Sequence, residues 1–242
     1  MPTNRIPVDV NVMLDQPLFS ELDEPRIREI ARGGWIVRAK RGTRILGRGE
    51  ILEGMYLVTE GNLKLYMLSC GGDERVLRVL QPGDSFGEVL MFNMLPSPVY
   101  VDTLAQASLA FFPRDVINAA LTRDPDFTAT MLRSMSAMMR NLIVDLETCC
   151  LQNAQQRTAN YLLRAAREAP APHHEIRLPA PKAVVASTLN ISAETFSREL
   201  HRLQDEGIIE INRRIIAIRD LRALEEITDG TTLASMTKAM AH

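Results

Sequence analysis

Residues 182–203 read KAVVASTLNISAETFSRELHRL, a spacing of apolar positions that two short helices joined by a tight turn would satisfy. Val184, Val185 and Leu189 recur at helical intervals, and Asn190-Ile191-Ser192 then breaks the period. Ser192 suits an N-cap, because its hydroxyl can accept from an otherwise unpaired amide of the next helix. In the second half Phe196, Leu200 and Leu203 stand at i, i+4 and i+7, one stripe for burial. Glu194, Ser197 and Arg198 lie off that stripe and share an outward face. The second helix of a pair, apolar inward and with a short polar group outward, has the form of a DNA-reading helix-turn-helix. A plain helical hairpin with a solvated face is the competing reading.

The residues that follow favour the first reading. Gly207 supplies the left-handed residue that ends a helix. Two β-rich runs, 208–212 and 214–218, then meet at Arg213 as a small hairpin, a wing that would carry Arg213 and Arg214 to phosphates. Charge agrees. The whole chain has a net charge of −2, yet residues 153–219 hold 10 basic and 7 acidic side chains, against 16 and 19 in residues 1–152. A modest basic excess on the helix-turn-helix segment supports contact with phosphate.

At 242 residues with 46% apolar, the chain can hold one large domain or two modest ones. The start, MPTNRIPVDV, has no apolar run of a signal peptide, and no stretch reaches membrane-span length. Three cysteines, two of them adjacent, imply no disulfide framework. The expectation is a cytoplasmic protein with no membrane attachment.

Residues 1–12 are expected to be loose, and 17–32 to form one or two short helices around Leu18, Phe19, Leu22, Ile27 and Ile30. From Trp35 to Pro113 short β-runs alternate with glycine turns. These are Trp35–Ala39, Gly54–Glu60, 62–68, Glu74–Leu80, Ser85-Phe86 followed by the apolar 89–92, 101–105 and 108–113. Alternation places Tyr56 and Val58, and Leu63, Leu65 and Met67, inward. Such spacing suggests a barrel or jelly roll. A short helix is expected over 115–120, and a long one from Pro125 to Leu151 with two apolar stripes. Met131, Met135, Met138, Leu142 and Cys149 make one heptad seam. Leu132, Met139, Ile143, Leu146 and Cys150 make its neighbour. One stripe can meet the chain's own β-domain; the seam beginning at Met131 is assigned to a second copy, as in a parallel coiled coil, with Asp145 interrupting it. A helix buried wholly within one domain is the alternative. Further helices are expected over 152–169, with Ala159, Leu162, Leu163 and Ala166 inward, and over 221–227 with Asp220 as cap. A short strand over 175–179 and a disordered tail complete the chain.

With β-roll, long helix and winged helix in this order, and with PGDSFGEVLMF and ISAETFSRELHRLQDEGII in place, the chain resembles the Crp/Fnr family of bacterial transcription regulators. The glycines Gly42, Gly49, Gly54, Gly61, Gly83 and Gly87 sit where that family turns. The implied fold is α+β: a cyclic-nucleotide-binding-like β-roll (jelly roll) over 14–123, a dimerisation helix over 124–151, a winged helix-turn-helix over 152–228, and a tail over 229–242. The resemblance implies a homodimer on double-stranded DNA, with RNA polymerase as a further partner. The run Glu194 to Arg198 is similar to the Fnr branch, which implies an inverted repeat of TTGAT. Arg198 can donate twice to guanine, Glu194 can accept from cytosine N4, and Ser197 can meet a thymine edge. The expected DNA contacts are Ser192, Glu194, Thr195, Ser197, Arg198, His201, Arg202, Arg213 and Arg214.

For the signal, the effector-pocket candidates are Gly87, Glu88, Val89, Met91, Pro98, Val99, Tyr100 and Met138. Cyclic-nucleotide binders of the family hold the phosphate with Gly-Glu and a following Arg-Ser or Arg-Thr; here Gly87-Glu88 stands, but the second site is Pro98-Val99. An apolar pair cannot neutralise a phosphate, which argues against cAMP. An Fnr-type [4Fe–4S] cluster needs cysteines near the N-terminus, and none precedes Cys70, which argues against the cluster. All four histidines (His173, His174, His201 and His242) lie outside the roll. MFNMLPSPVY nevertheless looks similar to the nitric-oxide-responsive, denitrification-regulating branch, for which haem is the proposed cofactor. Haem here would need an unusual ligand: Cys70, Met91 or Met94, or the amine of Pro2. No metal site is expected, since His173-His174 lack partners at ligand spacing. No nucleophile–base pair, carboxylate dyad or phosphate loop points to an enzyme. The alternative to a DNA-binding regulator is an effector- or protein-binding roll whose helix-turn-helix is unused.

Overall fold

The computed structural model describes residues 5–14, 16–168 and 175–228. The tail expected at 229–242, together with Pro2, His173 and His174, lies outside the described residues. The chain divides into two compact units, Met1–Arg140 and Asn141–His242.

The first unit is a β-roll of two antiparallel sheets. Strands β1 (Ile6–Pro7), β2 (Trp35–Ala39), β4 (Gly54–Glu60), β7 (Ser85–Phe86) and β9 (Ala107–Pro113) form one sheet in the order β1-β2-β9-β4-β7. Strands β3 (Arg44–Leu46), β5 (Leu63–Leu68), β6 (Glu74–Leu80) and β8 (Tyr100–Thr103) form the other in the order β3-β8-β5-β6. Period-2 alternation sends each strand's side chains to two faces. Val58, Leu63, Leu80, Phe86, Val101 and Leu109, drawn from both sheets, make one core cluster. Met55, Leu57 and Phe112 point the other way and meet the helices α1 (Asn11–Leu14), α2 (Glu24–Gly33), α4 (Arg114–Arg123) and α5 (Pro125–Leu151) through Met13, Ile27, Ile30, Ile117 and Phe127. Phe19 stacks on Phe127 at 5.9 Å and tilts against Phe112 at 5.9 Å, which ties the start of the long helix to the roll. Asp23 caps α2 by accepting from the Arg26 amide, and Asp124 caps α5 by accepting from the amides of Asp126 and Phe127.

Four local expectations fail here. Residues 1–12 are not uniformly loose: Ile6–Pro7 pairs with Trp35 and Ile36, while Val8 and Met13 are buried. Strand β3 was hidden by its polar, glycine-flanked surroundings and forms through pairing with the distant β8. The apolar run 89–92 is helical, within α3 (Glu88–Asn93), because Gly87 turns the chain at φ 102°. Met67 is exposed and Tyr66 buried, since the β5–β6 register shifts between Leu65 and Tyr66. A one-residue shift exchanges the two faces of a strand.

The second unit holds the last residues of α5, then α6 (Ala154–Glu168), β10 (Glu175–Arg177), α7 (Lys182–Thr188), α8 (Ala193–Asp205), β11 (Ile209–Asn212), β12 (Ile215–Ile218) and α9 (Leu221–Thr228). Ala159, Leu162, Leu163 and Ala166 of α6 are buried, as are Val185, Phe196, Leu200, Leu203, Ile216 and Leu224. The three strands order as β10-β12-β11, and Tyr161 meets Phe196 edge-on at 6.4 Å. Asp220 caps α9 by accepting from the Ala223 amide.

Candidate functional site

Asn190, at φ 57°, turns the chain between α7 and α8, and the Ile191 amide closes the turn on the Ala186 carbonyl at 3.1 Å. Ser192 then caps α8: its Oγ accepts from the Thr195 amide at 3.0 Å and lies 2.9 Å from the Thr195 hydroxyl. The two hydroxyls are thus engaged with the helix start. Phe196, Leu200 and Leu203 are wholly buried on the inner side. On the outer side Glu194, Ser197, Arg198, His201, Arg202 and Asp205 line one open concavity.

Their side chains are not equally available. Among the described residues Arg198 is exposed and has no intramolecular hydrogen bond or ion pair. Arg202 is half-buried and spends its guanidinium on Glu199 at 3.0 Å and Glu206 at 2.8 Å. The sequence treats the two arginines alike; the fold gives Arg202 an intramolecular role. In the wing, Asn212 pairs with Ile215, so Arg213 and Arg214 form a two-residue turn, with Arg213 left-handed at φ 56°. Both are exposed, and Arg214 Nη2 also reaches the Leu178 carbonyl at 3.4 Å.

The sensor candidates differ in burial. A Cβ on Gly87 would sit 2.4 Å from Leu52 Cδ2, so the turn before α3 needs glycine for space as well as for φ. Glu88 is buried and bonds the Ser85 side chain; burial pushes its carboxyl above the usual carboxylate range. Val89 is exposed and Met91 is fully buried in the helix-side core. The buried Ser97 fixes the next segment. Its Oγ donates to the Val99 carbonyl at 2.9 Å, and its backbone bonds Gly49 and Glu50. Pro98 is exposed, and Val99 and Tyr100 are half-buried. Met138 is half-buried on α5.

Beside Tyr100 lies a cluster that sequence reasoning missed. Tyr100 stacks on Tyr66 at 5.3 Å, and the Arg44 guanidinium stands 4.7 Å from the Tyr100 ring centre. Arg44 donates to Asp102 at 3.0 Å and to the Tyr66 hydroxyl at 2.8 Å, while that hydroxyl donates to Asp102 at 2.7 Å. Burial, followed by the bond to Asp102, pushes the Tyr66 phenol up to about 12. The Arg44–Asp102 pairing across β3 and β8 joins residues far apart in the chain, and no local pattern signals it.

Among the described residues the candidate donors do not fit haem; the Pro2 amine lies outside them. Cys70 is exposed at a hairpin tip, Met91 is sealed in the core, and Met94 is a partly exposed turn residue at φ 51°. None of these presents a ligand to an enclosed apolar plane. No group of three or more His, Cys, Asp or Glu side chains gathers as a metal site among the described residues.

The long helix requires one correction. Met131, placed by the sequence on the intersubunit seam, is buried against Phe127 in the roll's own core, with Met135 partly packed beside it. The large apolar residues left exposed on α5 are Leu132 and Met139 in the first unit, and Leu142, Ile143, Leu146 and Leu151 in the second. Asp145 is tied to Arg164 at 3.1 Å. No helix among the described residues is long and apolar enough to cross a membrane.

The sequence matches the cyclic nucleotide-binding domain over residues 36–124 and the Crp-like helix-turn-helix domain over residues 156–227. It is 30% identical over 190 residues to the anaerobic regulatory protein of Pasteurella multocida, covering 76% of this chain and 68% of that one. It is 28% identical over 195 residues to the cyclic AMP receptor protein of Thermus thermophilus, covering 78% and 86%. The fold is shared with FixK2 of Bradyrhizobium japonicum, with a TM-score of 0.74 at 20% identity over 82% of this chain and 99% of that one. A capped, outward-reading helix with a wing, joined to a cyclic-nucleotide-binding-type roll, thus agrees with both domain matches, and the chain belongs to the Crp/Fnr family of DNA-binding transcription regulators, which are not enzymes.

Proposed function

We propose that this regulator acts as a homodimer in the cytoplasm, reads an inverted repeat of TTGAT half-sites, and answers to a signal received at the β-roll. The observation that carries the DNA reading is the unpaired, exposed Arg198 flanked by Glu194 and Ser197 on a capped helix whose opposite side is buried. Arg198 suits guanine O6 and N7, Glu194 suits cytosine N4, and Ser197 leaves room for a thymine edge. Arg213 and Arg214 at the wing tip suit phosphates, which position the protein without reading sequence. His201 continues the outward stripe toward the flanking backbone.

A stripe of exposed and half-buried residues on α5 supplies the dimer contact. Leu132, Met135, Met139, Leu142, Leu146 and Cys149 follow a 3–4 spacing without a charge, as a two-stranded coiled coil requires. Asp145 then lies beside this seam instead of interrupting it. RNA polymerase belongs to this reading as the partner that a transcription regulator serves. The signal is not cAMP held by phosphate-binding side chains, because Pro98 and Val99 offer neither charge nor donor. It is a ligand or redox event that alters the packing of the roll on α5, shifting the population of DNA-competent dimers.

The test is fluorescence anisotropy at fixed salt with a TTGAT inverted repeat, single-base variants of it, and a scrambled duplex. Each mismatched base pair should cost about 1–3 kcal/mol. Equal affinity for repeat and scramble would sink the sequence-specific reading and favour a roll whose helix-turn-helix is unused.

A further inference from the structure

In the second unit the C-terminal ends of two helices meet at one guanidinium. Arg157, in the first turns of α6, is half-buried. Its Nε donates to the Gln152 carbonyl at 2.9 Å and its Nη2 to the Cys149 carbonyl at 2.8 Å. Its Nη1 donates to the Leu189 carbonyl at 3.2 Å and the Asn190 carbonyl at 3.0 Å. The first two carbonyls belong to the end of α5 and the residue just past it; the other two belong to the C-cap of α7 and the turn before the recognition helix. Carbonyls at a helix C-terminus lack partners within the helix and carry the negative end of its dipole. One cation therefore satisfies the ends of both helices. A planar guanidinium with donors in fixed directions can do this, and an ammonium cannot.

The link between α5 and α6 carries further bonds. The Asn153 amide donates to Gln156 Oε1 at 3.1 Å, and the Gln156 amide donates to Asn153 Oδ1 at 3.0 Å, a reciprocal capping box. Gln152 is buried and its Oε1 accepts from Asn160 at 2.7 Å. The last residues of α5 and the helix-turn-helix lie in the same compact unit. In this structure the corner between them is closed by these bonds, with the Arg157 guanidinium at its centre.

We propose that Arg157 is a positioning residue that fixes the direction of the end of the long helix relative to the recognition helix, and thereby sets the half-site spacing a dimer accepts. This rests on the DNA-reading function proposed above. A dimer that engages both half-sites gains about 10²–10⁴ in affinity over one that engages a single half-site, and loses that gain when geometry forbids it. Spacing selectivity therefore reports how rigidly the two recognition helices are held.

The experiment uses full-length Arg157→Lys and Arg157→Gln with inverted repeats whose spacers are lengthened or shortened by one and two base pairs, plus a single half-site. Wild type should favour one spacer by about a hundredfold, and the variants should compress that preference to about tenfold or less, with half-site affinity unchanged. Amide hydrogen exchange provides a readout independent of DNA: peptides over 147–153 and 188–192 should exchange faster together, and those over 209–218 should not change. A wild-type spacing profile in both variants overturns the proposal. So does an equal loss for every duplex with faster exchange across the whole unit, which marks a merely structural residue. If wild type itself prefers no spacer, the DNA reading has failed, and the exchange data alone then decide whether Arg157 braces the corner.

Discussion

Two arginines four residues apart on α8 should behave as opposites. Arg198 is exposed and, among the described residues, without an intramolecular partner, so truncating it to alanine should leave folding stability unchanged within about 0.5 kcal/mol. If it donates twice to guanine, its loss should cost about 1–3 kcal/mol per half-site. For a dimer that is about 2–6 kcal/mol, or roughly 30-fold to 10⁴-fold in operator affinity. Arg202 is bonded to Glu199 and Glu206, with a side chain one-third exposed. Partly screened pairs of this kind contribute about 0.3–1 kcal/mol each, so Arg202→Ala should lower stability by about 0.6–2 kcal/mol. It should leave base discrimination intact. The assay is a matrix of the three proteins against the TTGAT repeat and the same repeat with its guanine changed, at several salt concentrations. Arg198→Ala should bind both duplexes alike, while Arg202→Ala should still reject the changed one. The reasoning fails if Arg198→Ala keeps full discrimination, or if it loses affinity equally for all sequences while the salt slope falls by about 1 per half-site. The second outcome would make Arg198 a phosphate contact.

Leu146→Lys should convert the dimer to monomer in sedimentation equilibrium without unfolding either unit, because Leu146 is exposed in the single chain; a persistent dimer would refute the seam. Met131→Ala should instead destabilise the roll by about 2–5 kcal/mol and leave assembly intact, as expected for a core side chain. Burial raises the Glu88 pKa in the fold, so the folded state holds its proton more tightly than the unfolded chain. Its stabilising contribution is complete below the unfolded pKa and is lost as pH rises through the folded one. Glu88→Gln should therefore raise the melting temperature at pH 7, and the gain should shrink as the pH falls into the acid range; a gain that persists in acid would refute that origin.

The helix-turn-helix was legible because its signals are local. The i, i+4, i+7 stripe of Phe196, Leu200 and Leu203 and the cap at Ser192 are set by neighbours along the chain, and helix periodicity converts them directly into an inner and an outer face. The roll was legible as a class, from glycine turns and short β-runs, but not in detail. Strand β3 and the Arg44–Asp102–Tyr66 cluster exist through pairing across sequence separations that no local pattern reports, and the β5–β6 register shift exchanged Met67 for Tyr66.

On α5 the sequence by itself determined that the helix is long and has two apolar stripes, since both follow from periodicity alone. It assigned the Met131 stripe to a second copy, since periodicity alone does not decide which stripe the roll covers. The tertiary structure decided that, by packing Met131 beside Phe127 and leaving Leu132, Met139 and Leu146 exposed. It likewise separated Arg198 from Arg202 and gathered the ends of two helices at Arg157. The physical reason is the same throughout. A side chain's type and period come from its own segment, whereas its partner, and therefore its role, comes from whichever distant segment the fold brings against it.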